Sequence, residues 1–463
     1  MAKYGVGMEK ITLTELVNSI NGELLKEGKK HVFVSAGIDS RKQGQDGVFF
    51  AIQGENVDGH HYIQEAVDAG AGAVVVHRED IAINDIDAAI IKVQDTTEAF
   101  LDFASYYRSL FHIPVIAITG SSGKTTTKDM IASVLSAKYK VLKTQGNLNN
   151  QTGMPLTVLE LNSSHEAAVI ELGLCEKGDI LKMAKRLRPD IGVVTNIGYS
   201  HLEKLETRIG IYEEKTSLFS GFGAKNAAVI NKDDEFLKQY ESNDHAIIGV
   251  GIADGDMKAT DILQNERGIA FNVNGEEYTF SLPGMHNVYN CLFAVAVGKM
   301  LHLTQEEIQK GFNQYMPSKN RMDFRDIAGI KVINDCYNSN PDAAKAAIEV
   351  LSNAKADGKK IAVLADMLEL GEQAGALHEE VGVYAAQKNI DQLIVIGEQA
   401  AYFAQGALQG GMSEEKIMHC KSNEEATEYL LQIASQGDCV LLKGSRGMHL
   451  EEVLTQFEER KRG

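Results

Sequence analysis

Ile113-Pro-Val-Ile-Ala-Ile-Thr-Gly-Ser-Ser-Gly-Lys-Thr-Thr-Thr127 decides the fold, because an apolar, β-branched run passes straight into a glycine-punctuated turn, a lysine and threonines. A buried strand that feeds such a turn and then a helical pattern is the repeating unit of an α/β sheet, and the turn cradles phosphate. Gly120 and Gly123 permit backbone conformations closed to other residues, so successive N–H groups can converge on one anion. Lys124 adds positive charge near the outer phosphates, Thr125 offers a hydroxyl to Mg2+, and the following helix turns its positive end to the site. The nucleotide contacts expected here are Gly120, Ser121, Ser122, Gly123, Lys124, Thr125 and Thr126. The general phosphate-loop pattern would need glycine at Ile118, so the spacing is the shorter G-x-x-G-K-T-T.

Working outward, strand and helix patterns alternate. Val115 to Thr119, Ala167 to Glu171, Ile191 to Asn196 and Ala227 to Asn231 are β-rich runs separated by helical segments, which predicts a mostly parallel sheet covered by helices. Residues Asn243 to Glu277 read as a small antiparallel excursion. Toward the amino terminus, strand runs at Val48 to Ile52 and Ala73 to Val76 flank a helix from His61 to Ala69, a small α/β module. The helical stretch Thr97 to Phe111 then leads to Pro114, and residues before Met8 read as a frayed leader. Beyond Pro317 the alternation resumes with strands at Ile361 to Ala365, Leu393 to Gly397 and Cys439 to Lys443. The fold class expected is α/β in three domains: 1–100, 101–316 around the phosphate loop, and a Rossmann-like 317–463.

At 463 residues the chain is too long for one ordinary core, and 44% hydrophobic with 24% charged residues is a globular composition. A net charge of −18 excludes a general nucleic-acid or membrane-surface binder, which needs a basic face, while a few local cations can still hold a small anion. Cys175, Cys291, Cys336, Cys420 and Cys439 lie far apart without C-x-x-C spacing, so a reduced, cytoplasmic setting is expected. Apolar runs fall short of a membrane span, and nothing demands more than a monomer.

Ligands in open α/β sheets collect beyond the carboxyl ends of the strands. Glu171 ends the run Ala-Ala-Val-Ile, where a charge needs a cation, either a metal or a salt-bridge partner. His201 follows the strand ending at Asn196, and Lys215 sits in a helical pattern where a lysine is by default solvated. Gln145-Gly-Asn-Leu-Asn-Asn-Gln-Thr-Gly153 and Asn334-Asp-Cys-Tyr-Asn-Ser-Asn-Pro341 are rich in side-chain amides, which suit phosphate and sugar recognition and ordinary turns equally.

The loop Gly120 to Thr126, Gly146-Asn-Leu-Asn-Asn-Gln-Thr-Gly-Met-Pro-Leu156, Glu171-Leu-Gly173, Thr195-Asn-Ile197 with His201, and Gly284-Met-His-Asn-Val-Tyr-Asn290 fall in the order seen in the Mur ligases, and the resemblance covers nearly the whole chain. The strings Asn334 to Pro341 and Ala365-Asp-Met-Leu-Glu-Leu-Gly371 with His378 resemble the branch that adds D-alanyl-D-alanine. Asp39-Ser-Arg41 and Asp58-Gly-His60 are shared with the ligase that adds the third residue, whose Asp-Asn-Pro motif is missing here.

The resemblance implies an ATP-dependent ligase that activates the carboxylate of UDP-MurNAc-tripeptide as an acyl phosphate and couples it to D-alanyl-D-alanine. It implies Lys124, His201 and Lys215 as catalytic residues and two Mg2+ ions, one held by Thr125 and Glu171, the other by His201 and Lys215 as a carbamate. It places the adenosine near Asn290, Arg321 and Asp335, the UDP-bearing substrate near Ser40, Arg41, Asn149 and Asn150, and the dipeptide near Asn338 and Asn340. A third-residue-adding or folylpolyglutamate-type ligase, and a nucleotide-gated binder without ligase chemistry, are the competing expectations.

Overall fold

In a computed structural model, residues 5–81, 85–388 and 390–462 are described, and they form three α/β domains, each built on its own sheet. The central sheet has nine strands. Its parallel core runs Val141–Lys143, Ala167–Glu171, Val115–Thr119, Ile191–Val194, Ala227–Asn231, Ala246–Gly251 in spatial order. Val115–Thr119, Ala167–Glu171 and Ile191–Val194 are buried at every position, which is why their sequences read as continuous apolar runs. The helices Lys124–Leu135 and Met285–Met300 pack against each other, the latter with a nearly continuous buried face.

Two expectations are corrected here. Gly5 to Gly7 are no leader: they open the strand Gly5–Thr12, which pairs antiparallel with Val32–Gly37, while residues 1–4 of that reading lie outside the described residues. The excursion expected from Asn243 begins with a parallel strand, Ala246–Gly251, and becomes antiparallel only where Met257–Asn265, Gly268–Val273 and Glu276–Phe280 meander along the sheet edge. Two further segments start or stop differently. The stretch from His61 enters through a 3-10 turn, Gly59–Tyr62, before the helix Ile63–Asp68, and Thr195 and Asn196 leave the sheet to meet the phosphate loop.

The first sheet has four parallel strands, Val32–Gly37, Gly47–Phe50, Ala71–Val76 and Ala89–Lys92, with Gly5–Thr12 and Glu23–Lys26 antiparallel on its edges. The third pairs Asp323–Ile327 antiparallel with Ile330–Asp335, then continues parallel through Cys439–Lys443, Lys360–Ala365, Gln392–Ile396 and Ile417–Cys420. Its parallel strands alternate with helices, as expected for a Rossmann-like unit.

The helix Thr96–Ser109 joins the first two domains. Asp95 caps it by accepting from the N–H groups of Thr97 and Glu98. One flank meets the first sheet and the other packs along the helices Gly153–Leu159 and Asp179–Leu187. At the seam the fully buried Tyr107 hydroxyl accepts from the Glu9 N–H at 2.7 Å and donates to the Leu161 carbonyl at 2.7 Å. Tyr107→Phe leaves both groups unpaired and is expected to cost about 1–3 kcal/mol, read as a lowered unfolding midpoint in differential scanning calorimetry.

Candidate active site

The phosphate loop is held by the strand beside it. The Ser121 N–H donates to the Asn196 carbonyl at 3.0 Å and the Ser122 N–H to Asn196 Oδ1 at 2.9 Å. Thr195 Oγ1 donates to the Ser122 carbonyl at 2.6 Å, and the Gly198 N–H donates back to Ser121 Oγ at 2.9 Å. Gly123 caps the helix Lys124–Leu135 with φ 76°, a left-handed conformation that keeps the loop turned over the helix end. A Cβ on Gly120 would collide with Thr195 Oγ1, so the close approach of the two strands' ends requires glycine there. Lys124 Nζ folds back to donate to the Gly120 carbonyl at 2.8 Å. Burial lowers its pKa, and Glu171 opposes that shift.

Beside the loop, Glu171 is buried. Its Oε1 accepts from Asn149 Nδ2 at 2.8 Å, while Oε2 has no hydrogen-bond partner and lies 3.9 Å from Lys128 Nζ. Lys128 is itself spent on the Thr144 carbonyl and Asp129. Lys215, read locally as a solvated lysine, is 1% exposed inside the helix Arg208–Thr216, which overturns that default. Burial drives its pKa well down and the Lys124 charge pushes it further, because two ammonium groups share one poorly solvated region. His201 feels both lysines and is lowered chiefly by burial, with Glu369 opposing. Lys124, Glu171, His201 and Lys215 are thus one electrostatic cluster, although they come from three strand ends and a helix.

The third domain closes over this region. A cavity of about 540 Å³ is lined by Ser121 to Thr126 on one side and by Arg321, Asp335, Asn338 and Asn340 on the other, with Asn290 at its floor. Asn340 caps the helix Pro341–Asn353 by accepting from the Ala343 N–H, and its Nδ2 donates across to Ser200 Oγ at 2.7 Å. Ser200 Oγ donates in turn to the Ser121 carbonyl at 2.8 Å. Arg321 stacks its guanidinium 4.0 Å from the Tyr337 ring centre, and Asp335 pairs with Lys443 at 2.6 Å. Asn290 is buried, accepting from Thr127 Oγ1 at 3.0 Å and donating to Asn287 Oδ1 at 3.1 Å, so its amide braces the loop from below.

Not every expected residue gathers here. Ser40 and Arg41 lie in the first domain on the 3-10 turn Ser40–Lys42, where Arg41 pairs with Asp39 through Nε at 2.9 Å. Asn150 spends its Oδ1 on the turn, accepting from Gly153 N–H and Thr152, whereas its neighbour Asn149 reaches Glu171. Sequence reasoning missed Asn196, which shapes the loop, and the buried Lys443, whose signal was a lysine closing an apolar strand. It also missed Glu369, inside a string quoted above without a role, whose Oε2 lies 2.7 Å from His201 Nδ1.

Because Gly120 has no room for a side chain, Gly120→Ala is expected to shift the loop and lower ADP affinity by about 1–3 kcal/mol, roughly 5- to 150-fold. Isothermal titration calorimetry, with circular dichroism to verify folding, checks this.

Comparison with known proteins agrees with this geometry. Family models match along the chain: a Mur ligase family catalytic domain at residues 33–108, a Mur ligase middle domain at 118–298, and a Mur ligase glutamate ligase domain at 320–446. The chain is 35% identical to UDP-N-acetylmuramoyl-tripeptide--D-alanyl-D-alanine ligase of Bacillus subtilis, covering 98% of this chain and 99% of that protein. It is 32% identical to the enzyme of the same name from Escherichia coli, over 98% and 99% of the two chains. Among solved structures it is similar to MurF from Acinetobacter baumannii, with TM-score 0.88 and 31% identity over 98% of this chain and 100% of that one. It is also similar to MurF ligase from Thermotoga maritima in complex with ADP, with TM-score 0.82 and 28% identity over 92% and 97% of the two chains. A phosphate loop of the short form, closed over by a third α/β domain and matched from end to end by these relatives, makes the chain a member of the Mur ligase family.

Proposed function

We propose that this enzyme adds D-alanyl-D-alanine to UDP-MurNAc-tripeptide, with ATP converted to ADP and phosphate, in peptidoglycan synthesis. The observation that carries this reading is the cavity shared by the phosphate loop and the third domain, in a chain aligned over 98% of its length with ligases of that name. ATP phosphorylates the tripeptide's terminal carboxylate, the dipeptide's amine attacks the acyl phosphate, and the tetrahedral species collapses with loss of phosphate. Residues 1–100 take the UDP end through Ser40 and Arg41, 101–316 carry the phosphate loop, and 317–463 bring the dipeptide through Asn338 and Asn340. The helix Thr96–Ser109 spans the first of these seams.

Lys124 neutralises the outer phosphates, and the N–H groups of Ser121 to Thr126 orient them. Arg321 and Asp335, with Asn290 bracing the floor, hold the adenosine. Asn149 orients Glu171, and Asn150 shapes the turn beneath the substrate phosphates. Closure of the third domain excludes water from an intermediate that water would otherwise consume.

The residues present fit Mg2+. Glu171 Oε2 is a buried carboxyl oxygen without a hydrogen bond, near enough to Lys124 at the helix start to act on its charge. Mg2+ takes one or two protein oxygens plus phosphates and water, which a single carboxylate beside a phosphate loop supplies. Thr125 and Glu171 would hold one ion, and His201 with Lys215 as a carbamate a second. When bound, the ions supply charge neutralisation at the phosphates and the acyl group. A lysine kept neutral by burial is the form that adds CO2 and loses a proton to become a carbamate, and the depressed pKa of Lys215 supports that modification. We place the enzyme in the cytoplasm as a monomer acting on diffusible nucleotide substrates. No helix among the described residues is long and apolar enough to cross a membrane.

ADP release measured with UDP-MurNAc-tripeptide is expected to rise on adding D-alanyl-D-alanine and not with single amino acids; failure of the dipeptide to stimulate overturns the reading. Lys215→Ala is expected to cut kcat at least about 100-fold while retaining ADP binding, with partial recovery in added formate or acetate. Near-normal turnover in that variant refutes the carbamate.

A further inference from the structure

His201 and Glu369 face each other from different domains, and both hold left-handed backbone conformations, φ 63° in each. For residues other than glycine such a conformation costs about 1–3 kcal/mol, and here it sets the two side chains face to face. Stability does not account for the contact. The Glu369 side chain is 53% exposed, and half-exposed ion pairs contribute little.

The loop that carries Glu369 is rigidly mounted. His378, fully buried, donates from Nδ1 to the Ala374 carbonyl at 2.7 Å and accepts the Met367 N–H on Nε2 at 2.9 Å. The Leu368 N–H donates to Ser445 Oγ at 2.9 Å. From this mount the Glu369 carbonyl accepts the Glu203 N–H across the domain gap at 3.1 Å, and Gly371 lies against the Glu203 backbone. The carboxylate is thereby delivered to 2.7 Å from His201 Nδ1. A carboxylate only accepts, so the bond requires the proton on Nδ1 and leaves Nε2 as the ring's lone pair. An acid of this kind behind a ligating histidine sets its tautomer and ring orientation.

We propose that Glu369 is a positioning residue through which the third domain, on closing, fixes the His201 imidazole with Nε2 bare. This rests on His201 acting in the ligase site described above. Closure then does more than cover the cavity: it sets the tautomer of a side chain belonging to the other domain, so the site is complete only when the dipeptide's domain has arrived.

The test uses the full chain labelled with 15N-histidine at a pH where the rings are neutral, the His201 signals being assigned with His201→Gln. Long-range 15N–1H spectra are expected to show Nδ1–H for His201 in the wild type and in Glu369→Gln, whose amide oxygen still accepts. In Glu369→Ala they are expected to show a mixture of tautomers. In parallel, Glu369→Ala is expected to lose about 10- to 100-fold in kcat, with the KM for ATP and dipeptide changed less than about twofold and an unchanged melting temperature. An unmoved tautomer in Glu369→Ala, a kcat within about twofold of wild type, or a loss confined to dipeptide KM each overturns the proposal. The tautomer measurement needs no turnover. A wild type without dipeptide-stimulated ADP release therefore counts against the ligase reading alone, while the spectra still decide the role of Glu369.

Discussion

A fully buried lysine, Lys215, with the half-buried Lys124 near it sets the terms of this molecule. Lys124 and Lys215 lie close enough for one to lower the other's pKa, in a region where burial already disfavours charge. Such an arrangement favours the arrival of anions, and the surroundings are laid out to meet them. Glu171 stands near with an oxygen held out of hydrogen bonding, and the loop N–H groups and helix end wait for phosphate. Converting one lysine to a carbamate would turn repulsion into attraction. Substrate charge, on this view, completes the electrostatics that the polypeptide leaves unbalanced.

The parallel architecture was legible because it is buried on both faces. Val115–Thr119, Ala167–Glu171, Ala227–Asn231 and Cys439–Lys443 read from sequence with the bounds found in the structure. Edge strands were not. Glu23–Lys26 is mostly exposed, and Gly5–Thr12 opens on Gly-Val-Gly, which reads as a tail until Val32–Gly37 pairs with it. The phosphate loop was legible for a different reason: its chemistry is local, fixed by glycines and a lysine within a few residues.

What sequence could not supply were the contacts made by closure. Glu369 with His201 and Asn340 with Ser200 join segments more than a hundred residues apart across the domain gap, and no periodicity announces them. Amide-rich strings show the same limit from the other side. Asn149 and Asn150 are adjacent and chemically identical, yet one turns to Glu171 and the other closes a turn, a distinction set by backbone direction.

Both seams between the domains mix apolar packing with polar bonds, in different proportions close to the phosphate loop. Thr96–Ser109 packs along two helices of the central domain and buries Tyr107, whereas the third domain meets the phosphate loop through polar bonds at Ser200, His201 and Glu203. The bonds at the third-domain seam run between polar groups that water can also serve. Parting the two domains there would trade Asn340 to Ser200 and Glu203 to Glu369 for bonds to water rather than lose them, so the polar part of that seam opens at little cost in broken bonds.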